Sequence, residues 1–90
     1  FDEFNMLWSD ESPIEAKEGR LVAIAVSAAI RCEYCIAAQI EFAKKVGATD
    51  DEIKAAIQIA AEIQRFSTLL YGNEFDVETF NKIIGRDNKE

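Results

Sequence analysis

Apolar positions along this chain recur three and four residues apart, the spacing of helices with a buried face, and nothing alternates with the period of two that a strand requires. Phe1, Phe4, Leu7 and Trp8 fall at helical spacing and predict a short N-terminal helix. Ser12-Pro13-Ile14-Glu15 reads as a start signal, with Ser12 as N-cap, Pro13 at the first helical position and Glu15 closing a capping box. The helix it opens is predicted to run to about Ile30. Its second half, "LVAIAVSAAI", is apolar almost all the way round. Such a helix needs cover on every face, which a domain this small struggles to supply. The expectation is a homo-oligomer that buries part of this helix between subunits.

A further helix is predicted from Glu33 to Val46, ending at Gly47. Thr49-Asp50-Asp51-Glu52 is a second capping box. It opens a long helix through Ile53, Ala56, Ile57, Ala60 and Ile63 to about Tyr71. Gly72-Asn73 breaks the chain, Asp76 caps a last helix that stops near Gly85, and the tail "RDNKE" is expected to fray. No repeat, linker or low-complexity segment interrupts the pattern. Residues 1–90 therefore read as a single all-α domain, a compact orthogonal or antiparallel bundle of about five helices.

Charge narrows the partners. The chain carries 17 acidic against 10 basic residues, a formal charge of −7. Phosphate backbones and anionic membrane surfaces both call for a cationic face, so neither nucleic acid nor membrane is an expected partner. No apolar run approaches the roughly 20 residues of a membrane span, and no signal-peptide pattern opens the chain. A cytoplasmic protein is the expectation. The chain starts at Phe1 rather than Met, which leaves room for residues upstream.

The candidate chemistry lies in "AIRCEYCIAAQ", which holds the only two cysteines, Cys32 and Cys35. Two thiols are too few for a secreted disulfide scaffold. At i and i+3 on a helix they share a face and lie close enough for a disulfide with modest adjustment. At a helix N-terminus, Cys32 would have its thiolate stabilised by exposed N–H groups and the helix dipole. Its thiolate would attack a peroxide or disulfide and its neighbour would resolve the intermediate. Arg31 would add a positive field, and Glu33 would oppose it. Two other readings stay open: half of a metal site, or buried core thiols. With no histidine and no second pair, a zinc site would need acidic ligands or a second subunit, so neither a metal nor a cofactor is expected.

The string "LVAIAVSAAIRCEYCIAAQIEFAKKVGATDDEIKAAIQIAAE" resembles the carboxymuconolactone decarboxylase superfamily, and within it the alkyl hydroperoxidase D-like branch, over roughly residues 14–70. The resemblance implies an all-helical fold that assembles as a trimer or hexamer. For members with the cysteine pair it also implies thiol-dependent peroxidase or disulfide-exchange activity, with a peroxide or disulfide as substrate and a protein as reductant. The redox branch places a Glu twelve residues before the first cysteine and a His four residues after the second, which together relay a proton. Here those positions hold Arg20 and Gln39. Guanidinium stays protonated and a carboxamide does not titrate, so that relay does not carry over.

If the two helices form an antiparallel hairpin turning near Arg31, position 20 faces about position 42 and Arg20 reaches Gln39 or Glu41. Glu33 and Glu41 are the nearby candidates for a substitute base, and Tyr34 a donor to a bound oxygen. In the branch it resembles, the second cysteine attacks peroxide. Without the histidine, helix position favours Cys32 as the more acidic thiol, and the two roles stay unassigned. The alternatives are an oligomeric binding module of the same fold without chemistry, and an enzyme acting on a small organic acid. Trp8, Phe4, Phe1, Phe66, Leu69, Leu70 and Tyr71 read as core rather than ligand contacts.

Overall fold

The computed structural model describes residues 2–86; Phe1 and the last four residues of the expected frayed tail lie outside them. Five helices follow one another, with no strand among the described residues: α1 (Asp2–Met6), α2 (Ala16–Ala29), α3 (Glu33–Lys45), α4 (Asp50–Gly72) and α5 (Val77–Ile83). The all-helical fold is the one the periodicity predicts.

Phe4, Phe66, Leu69 and Tyr71, expected in the core, are exposed on the single chain, and two local expectations before α2 also need correction. Leu7 and Trp8 lie past the end of α1, in turns where their N–H groups donate to the carbonyls of Phe4 and Asn5. The capping box expected at Ser12 does not form. Its hydroxyl accepts the N–H of Ile14, two residues on, at 3.2 Å. That short turn satisfies the hydroxyl before a helix can begin, so α2 starts at Ala16 with Glu15 as an N-cap that makes no side-chain hydrogen bond. At α4 the predicted box closes in both directions. Thr49 Oγ1 accepts from the Glu52 N–H at 3.1 Å, and Glu52 Oε1 accepts from the Thr49 N–H at 2.8 Å.

Helices α2 to α5 all leave through the same pair of hydrogen bonds, a Schellman motif. At the end of α2 the Cys32 N–H donates to the Ser27 carbonyl at 3.0 Å and the Arg31 N–H to Ala28 at 3.2 Å. The motif needs a left-handed residue after the cap. Gly47 and Gly85 supply it without strain, at φ 91° and 82°, whereas after α2 and α4 it falls to Arg31 (φ 58°) and Glu74 (φ 53°).

Helix α2 is the hub, packing on α3 along one side and on α4 along another. Ile24 is completely buried at its centre, against Ala43, Ala48 and Ile53, with Leu21 and Ile40 packed around them. Besides Ile24 and Ile53, the buried apolar positions are all alanines, at 43, 48, 56 and 60. Their small side chains let the helix axes approach closely. Lys17 on α2 reaches Glu52 on α4 at 2.9 Å, and Gln64 Nε2 donates to the Ala29 carbonyl at 3.2 Å, fixing α4 along the length of α2. Among the described residues no helix is long and apolar enough to cross a membrane.

Candidate functional site

The α2–α3 corner places the thiols. Arg31 in the left-handed conformation turns the chain sharply, and the extended backbone at Cys32 (φ −96°, ψ 101°) makes it the N-cap of α3. Cys32 thus ends one helix, through its N–H on Ser27, and begins the next, through its side chain. Ser27 below it is buried, its hydroxyl donating to the Ala23 carbonyl at 2.6 Å.

Cys32 Sγ accepts the backbone N–H of Cys35 at 3.3 Å. The Cys35 thiol also donates to it, and this is the largest influence pulling the Cys32 pKa below the ordinary thiol value. The backbone N–H groups of Cys35 and Tyr34 add to the pull, while partial burial and the Glu33 carboxylate oppose it. Cys35 moves the other way: donating to Cys32 favours its protonated form, and burial and the Cys32 charge raise it further. Both thiols are free and half-buried. The pair is split into one acidic and one reluctant thiol, the division of labour a nucleophile and a resolving group need.

The other predicted site residues divide into two sets. Arg20 and Gln39 meet: Arg20 Nη1 donates to Gln39 Oε1 at 2.9 Å. Gln39 is one helical turn beyond Cys35, about 6 Å along α3. The guanidinium lies 3.7 Å from the centre of the Trp8 ring and 4.8 Å from that of Phe42. Partial burial lowers the Arg20 pKa, and an arginine starting from such a high value keeps its proton regardless. Arg20 is not among the groups that shift either thiol. Glu33, Glu41 and Tyr34 are exposed, Tyr34 by 83 %. Among the described residues no hydrogen bond or ion pair joins Glu33 or Glu41 to the thiols, to Arg20 or to Gln39.

The sequence reading missed Trp8 as a site neighbour. Its ring covers Arg20 and packs on Gly19, where a Cβ would stand 3.3 Å from it. Its buried Nε1–H has no acceptor. The sequence reading also left out Phe42, which the antiparallel register, with position 42 opposite position 20, could have found. Trp8 was not legible, because the turns joining α1 to α2 carry no periodicity that would bring it back over α2. Among the described residues no three His, Cys, Asp or Glu side chains gather where they would hold a metal ion.

Comparison with known proteins shows the family. The sequence model of the carboxymuconolactone decarboxylase family matches residues 2–74, which covers α1 through α4. The chain belongs to the carboxymuconolactone decarboxylase family. It is also similar to a Paracoccus denitrificans protein described as "Uncharacterized protein 4 in cox locus", with 28 % identity over 64 residues. That stretch is 71 % of this chain and 58 % of the relative, so the chain spans well under two thirds of the length of the relative it matches. No solved structure matches it significantly. Family membership extends from α1 into the turn after α4, and α5 lies beyond the matched residues.

Proposed function

We propose that this family member is a thiol–disulfide oxidoreductase of the alkyl hydroperoxidase D-like kind, with Cys32 as the attacking thiol and Cys35 as the resolving one. The observation that carries the reading is the place of Cys32 Sγ at the N-cap of α3, accepting from the Cys35 N–H at 3.3 Å. The Cys32 thiolate attacks one sulfur of a substrate disulfide, forming a mixed disulfide and expelling a substrate thiolate. Cys35 then loses its proton to solvent and attacks Cys32 Sγ. A second substrate thiolate departs, and the Cys32–Cys35 disulfide remains. The substrate gains two electrons, the pair loses two, and an external dithiol restores the reduced form.

The same thiolate can attack a hydroperoxide, giving a sulfenic acid that Cys35 condenses to the disulfide with loss of water. The alkoxide leaving group then needs a proton. Neither Arg20 nor Gln39 titrates in the range where a proton donor is useful, whereas a thiolate leaves a disulfide unassisted. Disulfide exchange is therefore the favoured reaction and peroxide reduction the slower one. The thiols lie on an open corner beside the exposed Tyr34, which suits a disulfide on a protein surface better than an enclosed small molecule. The same reading takes the chain as one domain, working in the cytoplasm as a homo-oligomer, a trimer or hexamer as the family resemblance implies.

To test it, reduced protein is mixed with equimolar hydrogen peroxide or with a small symmetrical disulfide, and free thiols are counted over time. Loss of both thiols together, faster with the disulfide and abolished in Cys32→Ser, is the expected outcome. A pair that stays reduced under both oxidants would instead favour a binding module that kept the fold and lost the chemistry, the reading that Arg20 and Gln39 in place of a proton relay supports.

A further inference from the structure

In a chain with 17 acidic against 10 basic residues, a cation usually has a carboxylate within reach. Lys17 pairs with Glu52, Lys44 with Asp50 and Arg65 with Glu62. Arg20 is half-buried on α2 and has no such partner among the described residues, although an unpaired charge is costly to bury. Burial is the one influence on its pKa, with no acidic neighbour opposing it.

The guanidinium is nonetheless held in place. The centre of the Trp8 ring lies 3.7 Å from it and that of Phe42 4.8 Å, and its Nη1 donates to Gln39 Oε1 at 2.9 Å. A guanidinium presents five N–H donors in a planar fork. The bond to Gln39 is the only one Arg20 makes among the described residues, so donors are left over. The indole Nε1–H of the ring it stacks on is a further donor without an acceptor. A fork of this kind takes a planar carboxylate through two parallel hydrogen bonds. The aromatic rings already fix the group, so little side-chain freedom is lost when an anion docks.

The thiols decide what else the ligand carries. Cys35 and Gln39 are four residues apart on one face of α3, about 6 Å along its axis. Phe42 continues that face. Beyond it Lys45, 5.9 Å from the Phe42 ring, is a second cation with no carboxylate partner among the described residues. We propose that Arg20 recognises a carboxylate on the substrate, so that the disulfides this chain prefers carry a carboxylate several bonds from the attacked sulfur. The inference rests on the thiol-exchange reading above and names its substrate class. A carboxylate suits the site better than a phosphate dianion, because one guanidinium offsets one charge and the net charge of −7 repels any excess. A carboxylate directly beside the reacting atom falls short of Arg20, so the preference is one of span as well as charge. Its source is either a small acid that is itself a disulfide, or an acidic side chain next to a cystine in a polypeptide.

Docking and chemistry are tested apart. Trp8 is the only tryptophan, so its emission reports an anion arriving at the guanidinium stacked on it. The full chain carrying Cys32→Ser and Cys35→Ser, which cannot exchange, is titrated with dithiodibutyrate and with its neutral diamide. The oxidised dimers of acetyl-Cys-Asp-amide and acetyl-Cys-Asn-amide form a second pair. In at least one pair the acid should bind about tenfold more tightly than its amide; a preference in the first pair identifies a small acid, and in the second a polypeptide. Arg20→Gln should abolish the difference. Arg20→Lys, which keeps the charge and loses the fork, should retain only part of it. Arg86→Gln, with the same change in net charge, should keep it whole. Equal binding of acid and amide, a preference that survives in Arg20→Gln, or one lost equally in Arg86→Gln would each overturn the proposal. With both cysteines restored, the preferred acid should oxidise the pair faster than its amide does. If the acid binds through Arg20 while the pair stays reduced, the anion site stands and the exchange chemistry falls.

Discussion

Arg31 and Glu74 stand where the ends of α2 and α4 require a left-handed residue, and both accept a conformation that glycine adopts freely. Glu74→Gly should therefore stabilise the chain by up to about 1 kcal/mol in urea unfolding. Arg31→Gly should gain a similar amount while leaving Cys32 acidic, because that acidity comes from Cys35 and the first N–H groups of α3 and not from Arg31. The N-cap role of Cys32 was legible in the sequence, since a helix had to begin just after Arg31. The inequality of the two thiols was less so. It depends on Cys32 Sγ capping α3 and accepting the Cys35 N–H, which spacing alone does not reveal.

Among the elements, α4 has the clearest start. Thr49→Ala removes an N-cap and should cost about 1 kcal/mol. The Thr49 N–H, then Lys17, hold the Glu52 carboxyl below the ordinary carboxylate range. A depressed pKa stabilises the fold above the unfolded value, and that contribution is lost as pH falls through the folded value. The stability difference between native chain and Glu52→Gln should thus be present at neutral pH and vanish in acid. This box was legible from four letters, Thr-Asp-Asp-Glu. The one expected at Ser12 failed, although its letters looked as good, because the Ser12 hydroxyl was satisfied two residues on rather than three. The α2–α3 hairpin explains why the relay positions of the redox branch still meet here as Arg20 and Gln39. If the missing relay limits peroxide reduction, Arg20→Glu combined with Gln39→His should raise peroxidase turnover by at least about tenfold, within the usual reach of general acid–base catalysis.

At the scale of the whole molecule, the uniformly apolar second half of α2 is only partly covered by the other helices. Val22, Val26 and Ile30 are exposed on the single chain. Among the described residues α5 has no helix packing comparable to that of α3 and α4 on α2, and this was not legible, because its apolar spacing is the same either way. The charge of −7 bears on the thiols as well. A neutral alkylating agent should react faster than an anionic one of equal intrinsic reactivity, with the gap narrowing as salt screens the field. The neutral agent is accordingly the one to use for the central question, whether Cys32 is the nucleophile. Its reaction rate with reduced protein would be followed against pH, beside Cys32→Ser and Cys35→Ser, the latter keeping a hydroxyl donor at position 35. The account predicts a rate that rises with pH to a midpoint below the free-thiol value of about 8.5, retained in Cys35→Ser and lost in Cys32→Ser, whose remaining thiol titrates higher. A low midpoint that survives in Cys32→Ser, or two thiols that both titrate at or above the free value, would contradict it.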